Sequence, residues 1–102
     1  MATLMTTENI WTLRFPAHIH GSVDSWVTNI LEEMSDSQPQ TLIIELTFTK
    51  TIDSKGLSLL LTLQKVLAEQ QVNITLKNPN QHLRDLFRIM QFDRLFKIDQ
   101  DP

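Results

Sequence analysis

A chain of 102 residues fits one domain, and with 41% hydrophobic and 21% charged residues it has ordinary globular composition, which excludes disordered, collagen-like and coiled-coil classes. The absence of cysteine removes disulfide frameworks, thiolate zinc sites, iron–sulfur centres and cysteine nucleophiles together, and fits a reducing compartment. With nine Lys and Arg scattered against twelve Asp and Glu, the net charge of −3 offers no basic block for a run of phosphates, so nucleic-acid binding is not expected.

The start, Met1 to Glu8, lacks the basic residues and continuous apolar stretch of a signal peptide. An extra strand over Thr3 to Thr7 is expected there. From Asn9 to Phe15, Trp11, Leu13 and Phe15 alternate with Ile10, Thr12 and Arg14, the period-two pattern of a half-buried strand that Pro16 closes. Ser22 then reads as a helix N-cap, followed by Val23, Trp26, Val27, Ile30, Leu31 and Met34 on one helical stripe. After the polar turn Ser35 to Pro39, Thr41 to Thr47 carries Leu42, Ile43, Ile44 and Leu46. So continuous an apolar run predicts a strand buried on both faces.

A second helix is expected from about Ser54 to Gln70, with Asp53 or Ser54 at its start. Its leucines, including Leu57, Leu59, Leu60, Leu61, Leu63 and Leu67, cover more than the ~100° stripe one buried face needs, which leaves apolar surface for a partner. Val72, Ile74 and Leu76 alternate as the next strand. Asn78 and Pro79 then read as N-cap and first residue of a third helix that carries Leu83, Leu86, Phe87 and Met90 and ends near Gln91. Leu95, Phe96 and Ile98 close the chain as a short strand or packed tail. Strands alternating with helices imply a single α/β domain with a partly parallel sheet, its core over about residues 9–98. No stretch approaches the ~20 apolar residues of a membrane helix.

Chemistry has few places to reside. Ser54 sits where a nucleophile elbow would, but Ile52-Asp53-Ser54-Lys55-Gly56 lacks the flanking glycines of G-x-S-x-G, so no catalytic residues are assigned. His18 and His20 point to one side of a strand without a third ligand, which does not make a metal site. His82 reads as a solvated surface residue. Gly21 and Gly56 are too isolated for a phosphate-cradling loop, and no cofactor is implied.

The remaining feature is the junction Thr51-Ile52-Asp53-Ser54-Lys55-Gly56-Leu57. An apolar strand, then Asp-Ser-x-Gly-Leu, then a leucine-rich helix resembles the signature of STAS domains, specifically the bacterial anti-sigma-factor antagonists. The likeness extends through Val72 to Asn78 and through Leu83 to Ile98. The resemblance implies a small mixed sheet of four to five strands with alternating helices packed mainly on one face. It also implies phosphorylation of Ser54 by a kinase of the histidine-kinase-like ATPase fold that is itself the anti-sigma factor, reset by a metal-dependent serine phosphatase. On that basis the protein is a cytoplasmic signalling partner and not an enzyme, with His20, Ser22, Asp53, Ser54, Lys55, Gly56 and Leu57 forming its binding surface. Lys55 replaces the small residue common in the family after the switch serine, and His20 stands where an aspartate is usual. Single-domain STAS proteins also serve as constitutive subunits of bacterial lipid-transporting ABC complexes, docking on the ATPase without phosphorylation. The leucine-rich helix suits either role, while the segment Phe92 to Ile98 looks more like the antagonists.

Overall fold

The computed structural model describes residues 3–6, 9–19, 29–34 and 39–100. Among the described residues seven strands are formed, β1 (Thr3–Thr6), β2 (Ile10–Arg14), β3 (His18–Ile19), β4 (Thr41–Glu45), β5 (Thr51–Ile52), β6 (Asn73–Lys77) and β7 (Lys97–Asp99). Residues 29–34 are helical (α1), and they are followed by α2 (Ser54–Glu69), α3 (Gln81–Ile89) and a 3₁₀ turn at Phe92–Arg94. The sheet order is β1-β2-β4-β6-β7, antiparallel between β1 and β2 and parallel elsewhere. The N-terminal strand, the α/β alternation and the short closing strand match the sequence-based expectations.

One side of the sheet builds the core. Trp11 and Leu13 of β2, Leu42 and Ile44 of β4, and Ile74 and Leu76 of β6 lie in register across neighbouring strands and are all buried. Against them pack Ile30 and Met34 of α1, Leu59, Leu60, Leu63 and Leu67 of α2, and Leu83 and Phe87 of α3. At ~1.5–3 kcal/mol for each fully buried large apolar side chain, this cluster is the main stabilising term. Phe87 stacks on Phe92 at 5.4 Å between centroids, and Phe92 meets Phe96 at 5.3 Å, so the aromatic series ties β7 to α3.

The structure corrects two expectations. β4 is not buried on both faces: Leu42 and Ile44 are covered, whereas Ile43 is half-buried, because its register neighbours on the opposite side, Thr12 and Thr75, are small polar residues that cover it only in part. Nor does Asn78-Pro79 start the third helix. The ladder continues past Lys77, with the Asn78 amide donating to Asp99 O at 2.8 Å, and Asn78 turns the chain in the left-handed region at φ 60°. Asn80 is the cap instead, its side chain accepting from Leu83 N at 2.8 Å. The expected cap Ser22 and the stripe residues Val23, Trp26 and Val27 lie outside the described residues.

α2 ends in a Schellman arrangement: Gln71 N donates to Ala68 O (3.0 Å) and Val72 N to Leu67 O (2.8 Å), with Gln71 left-handed at φ 62°. A glycine would occupy that conformation without steric cost; glutamine does not.

Candidate functional site at the start of the second helix

β5 delivers the chain to α2 at the carboxyl edge of the sheet. It is two residues long and pairs in parallel with β3, a ribbon separate from the main sheet that the sequence did not reveal. Side chains hold this ribbon in place. Thr49 is buried at 1% exposure and its Oγ1 donates to Pro16 O at 2.9 Å. The amides of Lys50 and Thr51 both donate to Ala17 O, at 2.7 and 3.2 Å. Nδ1 of His18 and Oγ1 of Thr51 are hydrogen-bonded at 2.7 Å, so His18 orients the ribbon. From the other side, Asn80 Nδ2 donates to the carbonyls of Thr49 and Lys50, each at 3.3 Å, so the cap of α3 also braces the segment leading to α2.

Asp53 caps α2. Its backbone is extended (φ −86°, ψ 179°), its Oδ1 accepts from Gly56 N at 2.8 Å, and its carbonyl accepts the first helical bond from Leu57 N at 2.9 Å. Ser54 is therefore the first helical residue, and it is exposed, as are Asp53 and Lys55. Beneath them Gly56 is buried in the first turn and Leu57 is half-buried against the core. The excess leucine surface expected on this helix is thus partly used internally, since Leu61 packs there as well.

The structure brings Asp53, Ser54, Lys55, Gly56 and Leu57 together at one helix terminus; His20 and Ser22 lie outside the described residues. Two residues on the segments that lead to α2 and α3 were not singled out from sequence. Phe48 is 60% exposed, with the Arg14 guanidinium 5.5 Å from its ring centroid. Its parity continues that of Leu42, Ile44 and Leu46, which points inward, but the chain turns at Thr47 and Phe48 and swings the ring out. Asn80 was hidden by the competing Asn78. Among the described residues no group of three His, Cys, Asp or Glu could hold a metal ion, and no helix is long and apolar enough to cross a membrane.

An exposed serine at the first position of a capped helix can accept a covalent anion at modest local cost. The Ser54 and Lys55 amides have no intrahelical acceptor, and the helix dipole favours negative charge there by ~0.3–1 kcal/mol. The same position is a poor one for burial once charged, because a dianion taken out of water against apolar or acidic groups is strongly penalised.

Comparison with known proteins identifies the fold. No curated protein sequence matches the chain. The fold is similar to that of the anti-sigma factor antagonist SpoIIAA in its unphosphorylated form, with a TM-score of 0.83 and 19% identity over 100% of this chain and 89% of that one. It is similar also to the Bacillus cell fate determinant SpoIIAA in the phosphorylated form, with a TM-score of 0.78 and 19% identity over 100% and 92% of the two chains. The protein TM1081 gives a TM-score of 0.85 at 16% identity, over 96% of this chain and 79% of that one. At these identities the likeness is one of fold. The family model for the STAS domain matches residues 2–102, and the chain belongs to the STAS domain family.

Proposed function

We propose that this protein is an anti-sigma factor antagonist that works by partner switching. In its unmodified state the surface around Asp53, Ser54, Lys55, Gly56 and Leu57, together with His20 and Ser22, binds a serine kinase of the histidine-kinase-like ATPase fold that acts as the anti-sigma factor. That kinase transfers the γ-phosphoryl group of ATP to Ser54 Oγ, releasing ADP and the hydroxyl proton, and a metal-dependent serine phosphatase hydrolyses the ester to reset the cycle. The protein is the substrate in both steps, not the catalyst, and acts in the cytoplasm.

The observation that carries this reading is the exposure of Ser54 as the first residue of a helix already capped by Asp53, directly above buried Gly56. Because Asp53 supplies the cap, modification of Ser54 removes no hydrogen bond that starts the helix. The fold is kept while the docking surface gains about −1.5 to −2 charges and three strong acceptors. Gly56 leaves room for the approach of a partner's backbone. Similarity to the antagonist SpoIIAA supports the same reading.

The test is affinity capture from source-cell lysate with the wild-type chain, Ser54→Ala and Ser54→Asp, with phosphate mapped on the wild-type bait. The proposal expects a histidine-kinase-like ATPase retained by wild type and Ser54→Ala, lost from Ser54→Asp, and phosphate on Ser54. An ABC-transporter ATPase held equally by all three, with Ser54 unmodified, would overturn it in favour of a constitutive transporter subunit.

A further inference from the structure

Toward the amino end of the sheet, away from Ser54, lies a cavity of about 430 Å³, inside the range of roughly 300–1,000 Å³ usual for small-molecule sites. Its origin is the register of the last strand. β7 joins β6 only from Thr75 onward, where Lys97 stands beside it, so Asn73 and Ile74 have no described strand on that flank. Leu95, 45% exposed, forms the rim where the chain enters β7, and Gln64 reaches the gap from α2.

The polar lining of this cavity has no internal use. Thr41 and Asn73 are register partners, and Thr75 and Lys97 form the next pair along β6. Because Leu42, Ile74 and Leu76 belong to the core, strand alternation sets those four on the opposite face. With Gln64 they bring two hydroxyls, two carboxamides and an ammonium group to one place, and none of these side chains has a hydrogen-bond or ion-pair partner among the described residues. Thr75 carries the most weight. It is nine-tenths buried, at 9% exposure, and buried hydroxyls ordinarily find a partner within the protein. Yet its hydroxyl is not sealed in, since the fully enclosed side-chain atoms without a partner belong to Gln70 and Arg84. A hydroxyl that is unpaired but still reachable, on a buried residue that lines the cavity, opens into that cavity.

We propose that this cavity binds a small, oxygen-rich organic anion: a hydroxylated carbon chain that ends in one carboxylate or phosphate group. The anionic group pairs with the Lys97 ammonium, a point charge that suits either head group. Hydroxyls of the chain find both donors and acceptors in Thr41, Gln64, Asn73 and Thr75. Its carbon skeleton lies against Leu95, and no described Asp or Glu lines the cavity to repel the charge. The site is about ten residues along α2 from Ser54, about 15 Å of helix, and shares no residue with the switch surface. It therefore stands whether or not Ser54 is phosphorylated.

The test is a titration of the isotope-labelled full chain with gluconate and with glycerol phosphate, followed by amide chemical shifts. Sorbitol is the neutral counterpart and inorganic phosphate the bare anion. At least one of the two organic anions should bind with a Kd of about 1 mM or tighter, moving the amides of Gln64 and of residues 73–75 and 95–97 and leaving those around Ser54 in place. Which of the two binds identifies the head group. Sorbitol and inorganic phosphate should each bind at least about tenfold more weakly, because each lacks half of the recognised chemistry. Lys97→Gln and Thr75→Val should each weaken binding of the organic anion at least about tenfold. Thr75→Val exchanges a hydroxyl without a partner for a methyl group, so its urea midpoint should hold or rise; a fall would show that the hydroxyl is bonded within the fold and would overturn the argument. The proposal is equally overturned by no response to either organic anion, by shifts confined to other residues, or by unaltered affinity in either variant. Inorganic phosphate binding as tightly as the organic anions would overturn it too, as the mark of an adventitious ion only.

Discussion

Removal of the Asp53 carboxylate is the sharpest test of how the site is built. Asp53→Ala deletes the 2.8 Å bond to Gly56 N and the negative charge at the start of α2, leaving the Gly56 amide buried without an acceptor. Loss of an N-cap of this type costs about 1 kcal/mol, within a range of ~0.5–2. For a domain near this size about 1 kcal/mol lowers Tm by roughly 4–8 °C. Asp53→Asn keeps the accepting oxygen and removes only the charge, so it should retain most of the stability. Urea denaturation of the three proteins gives the comparison, with the slope m unchanged if the folded and unfolded states keep their compactness. Equal midpoints for wild type and Asp53→Ala would refute the claim that Asp53 holds the first turn. Equal losses in the alanine and asparagine variants would assign the effect to the helix dipole instead of the hydrogen bond.

Three other outcomes follow from the same structure. Thr49→Val preserves shape but leaves the part-buried Pro16 O without this donor, so unfolding free energy should fall by about 1 kcal/mol and amide exchange over residues 17–19 should quicken. Gln71→Gly relieves about 1–2 kcal/mol of left-handed backbone cost at the end of α2, partly offset by ~0.4–1 kcal/mol of unfolded-state entropy; a small rise in the urea midpoint is expected, and a fall would contradict the strain argument. Phe48→Ala should change stability by no more than about 0.5 kcal/mol, as its ring is mostly exposed, yet weaken binding of the captured ATPase roughly tenfold if the ring is an anchor of the docking surface. Unaltered affinity would remove Phe48 from that surface.

Local periodicity made much of this fold legible. The alternation around Trp11 and Leu13 and the leucine spacing after Ser54 each reflect one buried face, and both elements formed where that pattern placed them. Asp53 was readable as a cap because an aspartate directly precedes the apolar helical run. What escaped was decided by contacts distant in sequence. Asn78 and Asn80 carry the same capping chemistry, and only the pairing of Lys77 with Asp99 carries β6 far enough to make Asn78 the turn and Asn80 the cap. β3 and β5 are too short to show any period, and their pairing depends on Thr49 and on the Ala17 carbonyl more than thirty residues away. The run Leu42, Ile43, Ile44 and Leu46 suggested a strand buried on both faces because composition does not say on how many sides helices pack. Phe48 followed the inward parity of its strand until a turn reversed it.

The central claim is that one phosphate on Ser54 switches the partner surface without unfolding the domain. The direct measurement is the affinity of the captured kinase for the unmodified chain and for the chain uniformly phosphorylated on Ser54, with the melting temperature of each form recorded alongside. A loss of at least a hundredfold in affinity, equivalent to about 3 kcal/mol, with both forms folded and melting within a few degrees, is the predicted result. Equal affinities for the two forms would contradict the account, and so would a loss of binding that tracks unfolding of the phosphorylated chain.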